Sequence, residues 1–291
     1  MDEDNPVEFL PENIAEVFPS LMNIWIIGST TKTVTKANFK SLKQLQLLTI
    51  SENENLETIE EKSFDDLADL KCLDLSFNAI TKLFHSTFSK LEKLYFLNLS
   101  SNKLTSLNEN IFEHNTNLES LIISQNKLMT VASVMLDSLK GLKFFWINHN
   151  EITHLPNNLF KSTEILAELH LEGNEISRVD RELLTNLTSL RKVSLGGNLL
   201  IEVDFKIIET NENLLEISLE SNRISTVANV EIVRNMTKLY EINLANNTCI
   251  DQVFFSLAKG IVHKKMLLYK IEEKCLVLGL IYPKNSSSIV N

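Results

Sequence analysis

Glu168, His170 and Glu172 alternate with leucines in the stretch "ELHLE". On an extended strand, alternate side chains share one face, so a carboxylate, an imidazole and a second carboxylate would point the same way. Such a trio could hold a divalent cation or make the histidine respond to pH. Same-face neighbours lie about 7 Å apart, however, so all three would have to converge on one ion, and no further histidine faces them. A solvated acidic face is the reading that needs no convergence, and no metal is expected. The three cysteines are Cys72, Cys249 and Cys275. Seven glycines leave no room for a glycine-rich phosphate loop. The nucleotide-loop, zinc-protease and serine-elbow motifs are also missing, so no nucleophile, base and oxyanion set can be assembled. The chain is not read as an enzyme, and no cofactor is expected.

With 291 residues, 44% of them hydrophobic and 23% charged, the chain can bury a large core. A net charge of -10 without a basic cluster repels phosphate backbones, which argues against nucleic acid as a partner. The apolar stretch 276–282 is far short of the roughly 20 residues that span a bilayer, so no membrane span is expected. The opening "MDEDNPVEFLPENI" is acidic and has no export signal of its own.

Asn78, Asn102, Asn126, Asn150, Asn174, Asn198 and Asn222 recur every 24 residues. Each closes the frame L-x-x-L-x-L-x-x-N, as in "LKCLDLSFN" and "LYFLNLSSN", with Val or Ile at times replacing Leu; Asn53 and Asn247 join with one extra residue of spacing. Ten units begin at Leu21, Leu45, Leu70, Leu94, Leu118, Leu142, Leu166, Leu190, Leu214 and Leu239. Ten residues after the Asn, Phe39, Phe88, Phe112 and Phe160 alternate with Leu136, Leu184, Ile208 and Ile232. This pattern resembles the typical 24-residue class of leucine-rich repeat, most like secreted insect leucine-rich proteins and Toll-type ectodomains. The resemblance implies an α/β solenoid, a horseshoe with a parallel β-sheet on its concave face and a short helical C-terminal cap. Repeat physics agrees, since one unit cannot bury its leucines without neighbours.

The Asn positions are read as a structural ladder, because a short-stemmed amide can both donate to and accept from backbone groups left unpaired where each strand turns inward. The expected organisation is a partial N-terminal repeat over 1–20, ten units over 21–248, a Cys-bracketed cap over 249–282 and a polar tail over 283–291. In the first of these, Asn5, Val7, Leu10, Ala15 and Phe18 fall in phase with the repeat. That register starts part-way through a unit, so a preceding cap and a signal peptide are expected outside the given chain, with "MDEDN" as a minimal cap the competing reading. In the C-terminal cap, Asp251 and Gly260 suit the start and stop of a helix over 251–260. The flank "NNTCIDQ" is similar to the cysteine-bearing caps of extracellular animal members, which implies a Cys249–Cys275 disulfide; reduced core cysteines are the alternative. Cys72, the odd one out, is either tolerated or linked to a second chain, so a dimer is one arrangement to expect. Of the glycosylation sequons at Asn98, Asn186, Asn235, Asn246 and Asn285, Asn186 and Asn235 fall in turns with room for a glycan.

In each strand the leucine positions face inward, which leaves three positions per unit on the concave face. There Phe96, Ile122, Phe144 and Trp146 are read as an apolar contact patch, with Asn148 beside it, and Glu168, His170, Glu172 and Lys192 as the charged region next to it. Exposed aromatics beside charge are what a binding hot spot looks like, although aromatics also stack across strands simply to cover a sheet. Trp25, Ile27 and Leu47 form a second apolar group, which an N-terminal cap could cover. The function expected is non-enzymatic recognition of another protein through the concave face, in an extracellular setting. The resemblance adds innate immunity or cell-surface signalling, and with it a microbial or glycan ligand. An intracellular scaffold with reduced cysteines is the alternative.

Overall fold

The computed structural model of the chain describes residues 10–251, 253–255, 270–271 and 274–278. The expectations for Asn5, Val7, 256–260 and Asn285 lie outside them. Two short strands, β2 (Thr33–Val34) and β4 (Thr58–Ile59), follow β1 (Asn23–Ile27) and β3 (Leu47–Ser51) in the first two units. The chain then runs through β5 (Cys72–Asp74), β6 (Phe96–Asn98), β7 (Ser120–Ile122), β8 (Phe144–Trp146), β9 (Glu168–His170) and β10 (Lys192–Ser194). It continues with β11 (Glu202–Asp204), β12 (Glu216–Ser218), β13 (Thr226–Ala228), β14 (Glu241–Asn243), β15 (Val253–Phe255) and β16 (Leu276–Leu278).

Ten of these strands, one from each unit, pair side by side in parallel from β1 to β14, so the sheet order follows the chain order. The register places each residue against its counterpart in the next unit, as Leu97 against Leu121 and Phe145 against Leu169. Every middle residue of these strands from Leu73 to Ile217 is buried. Burying a leucine-sized side chain is worth about 1.5–3 kcal/mol, and stacking turns converts those residues into one uninterrupted core. Phenylalanine rings continue the core behind the sheet, Phe39 with Phe64 and Phe88 with Phe112, and Phe145 of β8 meets Phe160 there, at centroid distances of 5.9, 6.1 and 6.2 Å.

Two expectations are corrected. Phe18 does not join the N-terminal core and is 58% exposed, while Leu10 is buried and Ile14 and Ala15, partly buried, pack against the core. The helix over 251–260 is not formed in its described part, because β15 pairs antiparallel with β14. Val253, Phe254 and Phe255 are β-branched and aromatic, types that favour strands, and the last parallel strand offers an open row of backbone groups to pair with.

A requirement with no type signature operates where each strand leaves the sheet. The residue just before the ladder position has positive φ in all ten units: Gly28, Glu52, Phe77, Ser101, Gln125, His149, Gly173, Gly197, Ser221 and Asn246. At Gly173 the reason for glycine is doubled, since an added Cβ would also meet His149 Nδ1 at 2.3 Å.

The disulfide joins Cys249 to Cys275 across 26 residues, and β16 pairs with β13 on the back of the solenoid. Closing a loop of that length stabilises by about 3 kcal/mol in the chain-entropy view. The double change of Cys249 and Cys275 to serine is therefore expected to lower the urea midpoint by the equivalent of about 3 kcal/mol. An unshifted midpoint would show that the cap adds nothing to the stability of the repeats.

Candidate functional site

The ladder asparagines are buried or half-buried, and their amides bind neighbouring turns to one another. Asn150 Nδ2 donates to the carbonyls of Ile123 and Ile147, both at 3.1 Å, and its Oδ1 accepts from the Leu128 N–H at 3.0 Å. One side chain thus closes groups from two turns. The same three contacts recur at Asn102, Asn126, Asn174, Asn198, Asn222 and Asn247. At the N-terminal end the pattern changes: Asn78 accepts from the Asn53 N–H, and Asn53 accepts from both the N–H and the hydroxyl of Ser29. A second, shorter series went unseen in the sequence. Asn115 donates to the carbonyls of Phe88 and Leu91, and Asn211 to those of Leu184 and Leu187, from positions that carry leucine in most units. Only two units share that residue, too few for a visible period.

On the concave face the register sorts the candidate residues into transverse rows. Ile122, Trp146 and His170 lie side by side in one row. Phe96, Ser120, Phe144, Glu168, Lys192, Glu216 and Glu241 form another, in which Ser120 separates the two phenylalanines. The apolar group is therefore Ile122 beside Trp146, with Phe144 one position away and Phe96 set apart. Trp146 is 37% exposed, whereas Phe96, Ile122 and Phe144 are half-buried. Asn148 is tied down by the Ser124 hydroxyl, which donates to its Oδ1.

His170 carries the densest contacts of the face. The Trp146 ring lies 5.1 Å from the imidazole, centroid to centroid, tilted by 55°. Nδ1 is 3.2 Å from Glu172 Oε1, and Nε2 is 3.7 Å from Glu168 Oε2. Burial works against the charge of Glu172, but the hydrogen bond and charge of His170, with the Glu172 backbone and Ser194, hold its carboxyl below the usual range. Lys192 meets Glu216 at 3.1 Å, and Glu216 also accepts from the Tyr240 hydroxyl. Those contacts lower the Glu216 carboxyl, the Tyr240 bond first, and push the Tyr240 phenol up to about 12. Glu241 has no such donor, and burial followed by the charge of Glu216 raises its carboxyl. Lys192 thus has its charge paired with Glu216 inside the row, and Glu168 lies beside His170. Among the described residues no three His, Cys, Asp or Glu side chains are grouped to hold a metal ion.

In the second apolar group Trp25 is 59% exposed and Ile27 is also exposed, whereas Leu47 is half-buried. Cys72 is unpaired and half-buried, and its contact with Tyr95 raises that phenol. Asn186 and Asn235 are both exposed. No helix among the described residues is long and apolar enough to cross a membrane.

A parallel sheet with one strand per 24-residue unit, an asparagine ladder and a core of leucines define a leucine-rich repeat solenoid. The chain belongs to that family: the Leucine rich repeat profile matches residues 19–80, 70–128, 92–150 and 140–200, an unbroken span over more than half of its length. The family is one of protein-interaction modules. No curated protein sequence matches the chain. Among solved structures, an internalin of Listeria monocytogenes is 24% identical with a TM-score of 0.57, covering 72% of this chain and 57% of its own. A chain of the Drosophila Toll–Spatzle complex is 22% identical with a TM-score of 0.64, covering 85% of this chain and 38% of its own. The APL1 leucine-rich repeat domain is 20% identical with a TM-score of 0.65, covering 85% and 68%. At these identities the likeness is one of fold, and the chain spans well under two thirds of the internalin and the Toll–Spatzle chains.

Proposed function

We propose that the chain is a non-enzymatic, extracellular recognition module that binds another protein across its concave face, centred on Trp146. The observation that carries this reading is Trp146 itself: a large ring in the middle of a sheet, partly open to solvent and held in place by His170. Around it, Ile122, Phe144, Phe96 and Asn148 supply contact area, and Glu168, His170, Glu172 and Lys192 supply orientation by charge. Aromatic anchors of this kind contribute about 2 kcal/mol or more when a partner buries them. The disulfide and the exposed Asn186 and Asn235 sequons support an oxidising, extracellular setting. A part in innate immunity belongs to the same reading, supported by likeness in fold to a chain of the Toll–Spatzle complex, described as a hub in development and innate immunity. A microbial or glycan ligand would use the same face.

Affinity purification from the fluid or cells that express the chain, with wild type and Trp146→Glu as baits, tests the site. Proteins held by the wild type are expected to be lost from the variant, whose circular dichroism should match the wild type because position 146 lies outside the core. Recovery of the same partners by both baits would move the binding site elsewhere.

A further inference from the structure

The bend before each ladder position forces its residue into the left-handed region, and nine of the ten residues there are glycine or polar. Phe77 is the exception, with φ 54° and 56% of its surface exposed. Left-handed backbone is disfavoured for any residue with a Cβ, most of all a bulky one, and an exposed ring gains little from burial in return. Within the chain, then, phenylalanine is the wrong residue for this position twice over. Strain without an internal return marks a candidate for function.

The surroundings indicate what the ring meets. Phe77 lines an open cleft of about 710 Å³ on the flank of the solenoid, outside the concave face. Glu52 and Glu54 come from the turn before it, Ser101 and Lys103 from the turn after it. Both glutamates are exposed, and no ion pair or hydrogen bond within the described residues engages either carboxylate. A ring that shares an open cleft with two unpaired carboxylates suits a cation, because the ring's quadrupole and both charges attract the same group. Lys103 lines the same cleft from the following turn, so an incoming cation is favoured toward the glutamates and disfavoured toward Lys103.

We propose that Phe77, Glu52 and Glu54 form a second recognition site, separate from the concave face, that takes an arginine or lysine side chain of a protein partner. Binding of that side chain across the ring gives a use to an exposed aromatic residue at a bend where the other nine units carry glycine or a polar residue.

The test is a titration of the isotopically labelled full chain with the peptides acetyl-Gly-Arg-Gly-amide and acetyl-Gly-Glu-Gly-amide, followed by the amide resonances of 52–54 and 77–79. The arginine peptide is expected to give saturable shifts there, in the millimolar range, and the glutamate peptide none. Phe77→Gly should weaken binding about two- to fivefold, as expected for loss of one solvent-exposed cation–ring contact. Its melting temperature should equal or exceed that of the wild type, since glycine adopts this backbone freely. Phe77→Asn, which also tolerates the left-handed region, provides a second variant with the same two readouts. Trp146→Glu should leave the shifts intact, which keeps failure of this site distinct from failure of the concave one. Absence of shifts, equal binding by Phe77→Gly, or preference for the glutamate peptide would each overturn the proposal. So would shifts that depend on protein concentration alone, which would assign the cleft to a second copy of the chain.

Discussion

Phe145→Ala is expected to destabilise the fold by about 4 kcal/mol, whereas Trp146→Ala, one residue along, should cost about 1 kcal/mol or less. The contrast tests how the strand is faced. Phe145 is 0% exposed and packs edge-on against Phe160 at 6.2 Å, so truncation leaves a cavity that neighbouring turns cannot close without shifting their own leucines. Trp146 loses its contact with His170 and some area against the sheet, and water replaces the rest. Urea denaturation of the two variants gives the comparison directly. Similar midpoints would mean that both rings contribute equally to the core, and the concave reading of Trp146 would fall with them.

Asn150→Ala should cost about 3 kcal/mol, a large effect for a polar residue. The buried Leu128 N–H loses its partner, and the carbonyls of Ile123 and Ile147 each lose one of two amide donors, keeping Asn126 and Asn174 respectively. The unpaired N–H carries a penalty of about 1–3 kcal/mol, and each lost amide-to-carbonyl bond adds about 0.5–1.5 kcal/mol. Asn148→Ala supplies the control, because the Asn148 side-chain carbonyl accepts from the Ser124 hydroxyl on the partly exposed face. That variant should lie within about 1 kcal/mol of wild type. Thermal unfolding separates the two, and amide exchange at Leu128 should accelerate in Asn150→Ala alone. Wild-type stability in Asn150→Ala would refute the structural role of the ladder.

Much of this architecture was legible in the residues. "LKFFWINHN" is ambiguous as a cluster of aromatics, but in the 24-residue frame Phe145 takes a leucine position and Trp146 the opposite face. The ladder was legible as a recurrent Asn, though not its geometry. From Asn102 to Asn222 each amide reaches a carbonyl 27 residues back and an N–H 22 residues back, distances along the chain that only stacked turns bring into contact. Likewise, Ile122, Trp146 and His170 become neighbours through strand register, and Ser120 parts Phe96 from Phe144 for the same reason.

The sequence by itself determined the period, the number of turns and the inner and outer face of each strand, because these follow from alternation and burial within a short window. Tertiary structure alone decided the rest. The segment 253–255 became a strand because β14 offered it an open edge, a partner absent from any local window. Phe18 stayed outside although it was in phase, since a place in the register confers burial only where neighbouring turns close over it. The left-handed bends have no residue type in common, because what selects them is the direction the backbone must take on leaving the sheet; only in the folded solenoid does Phe77 stand out as the residue that does not suit its place.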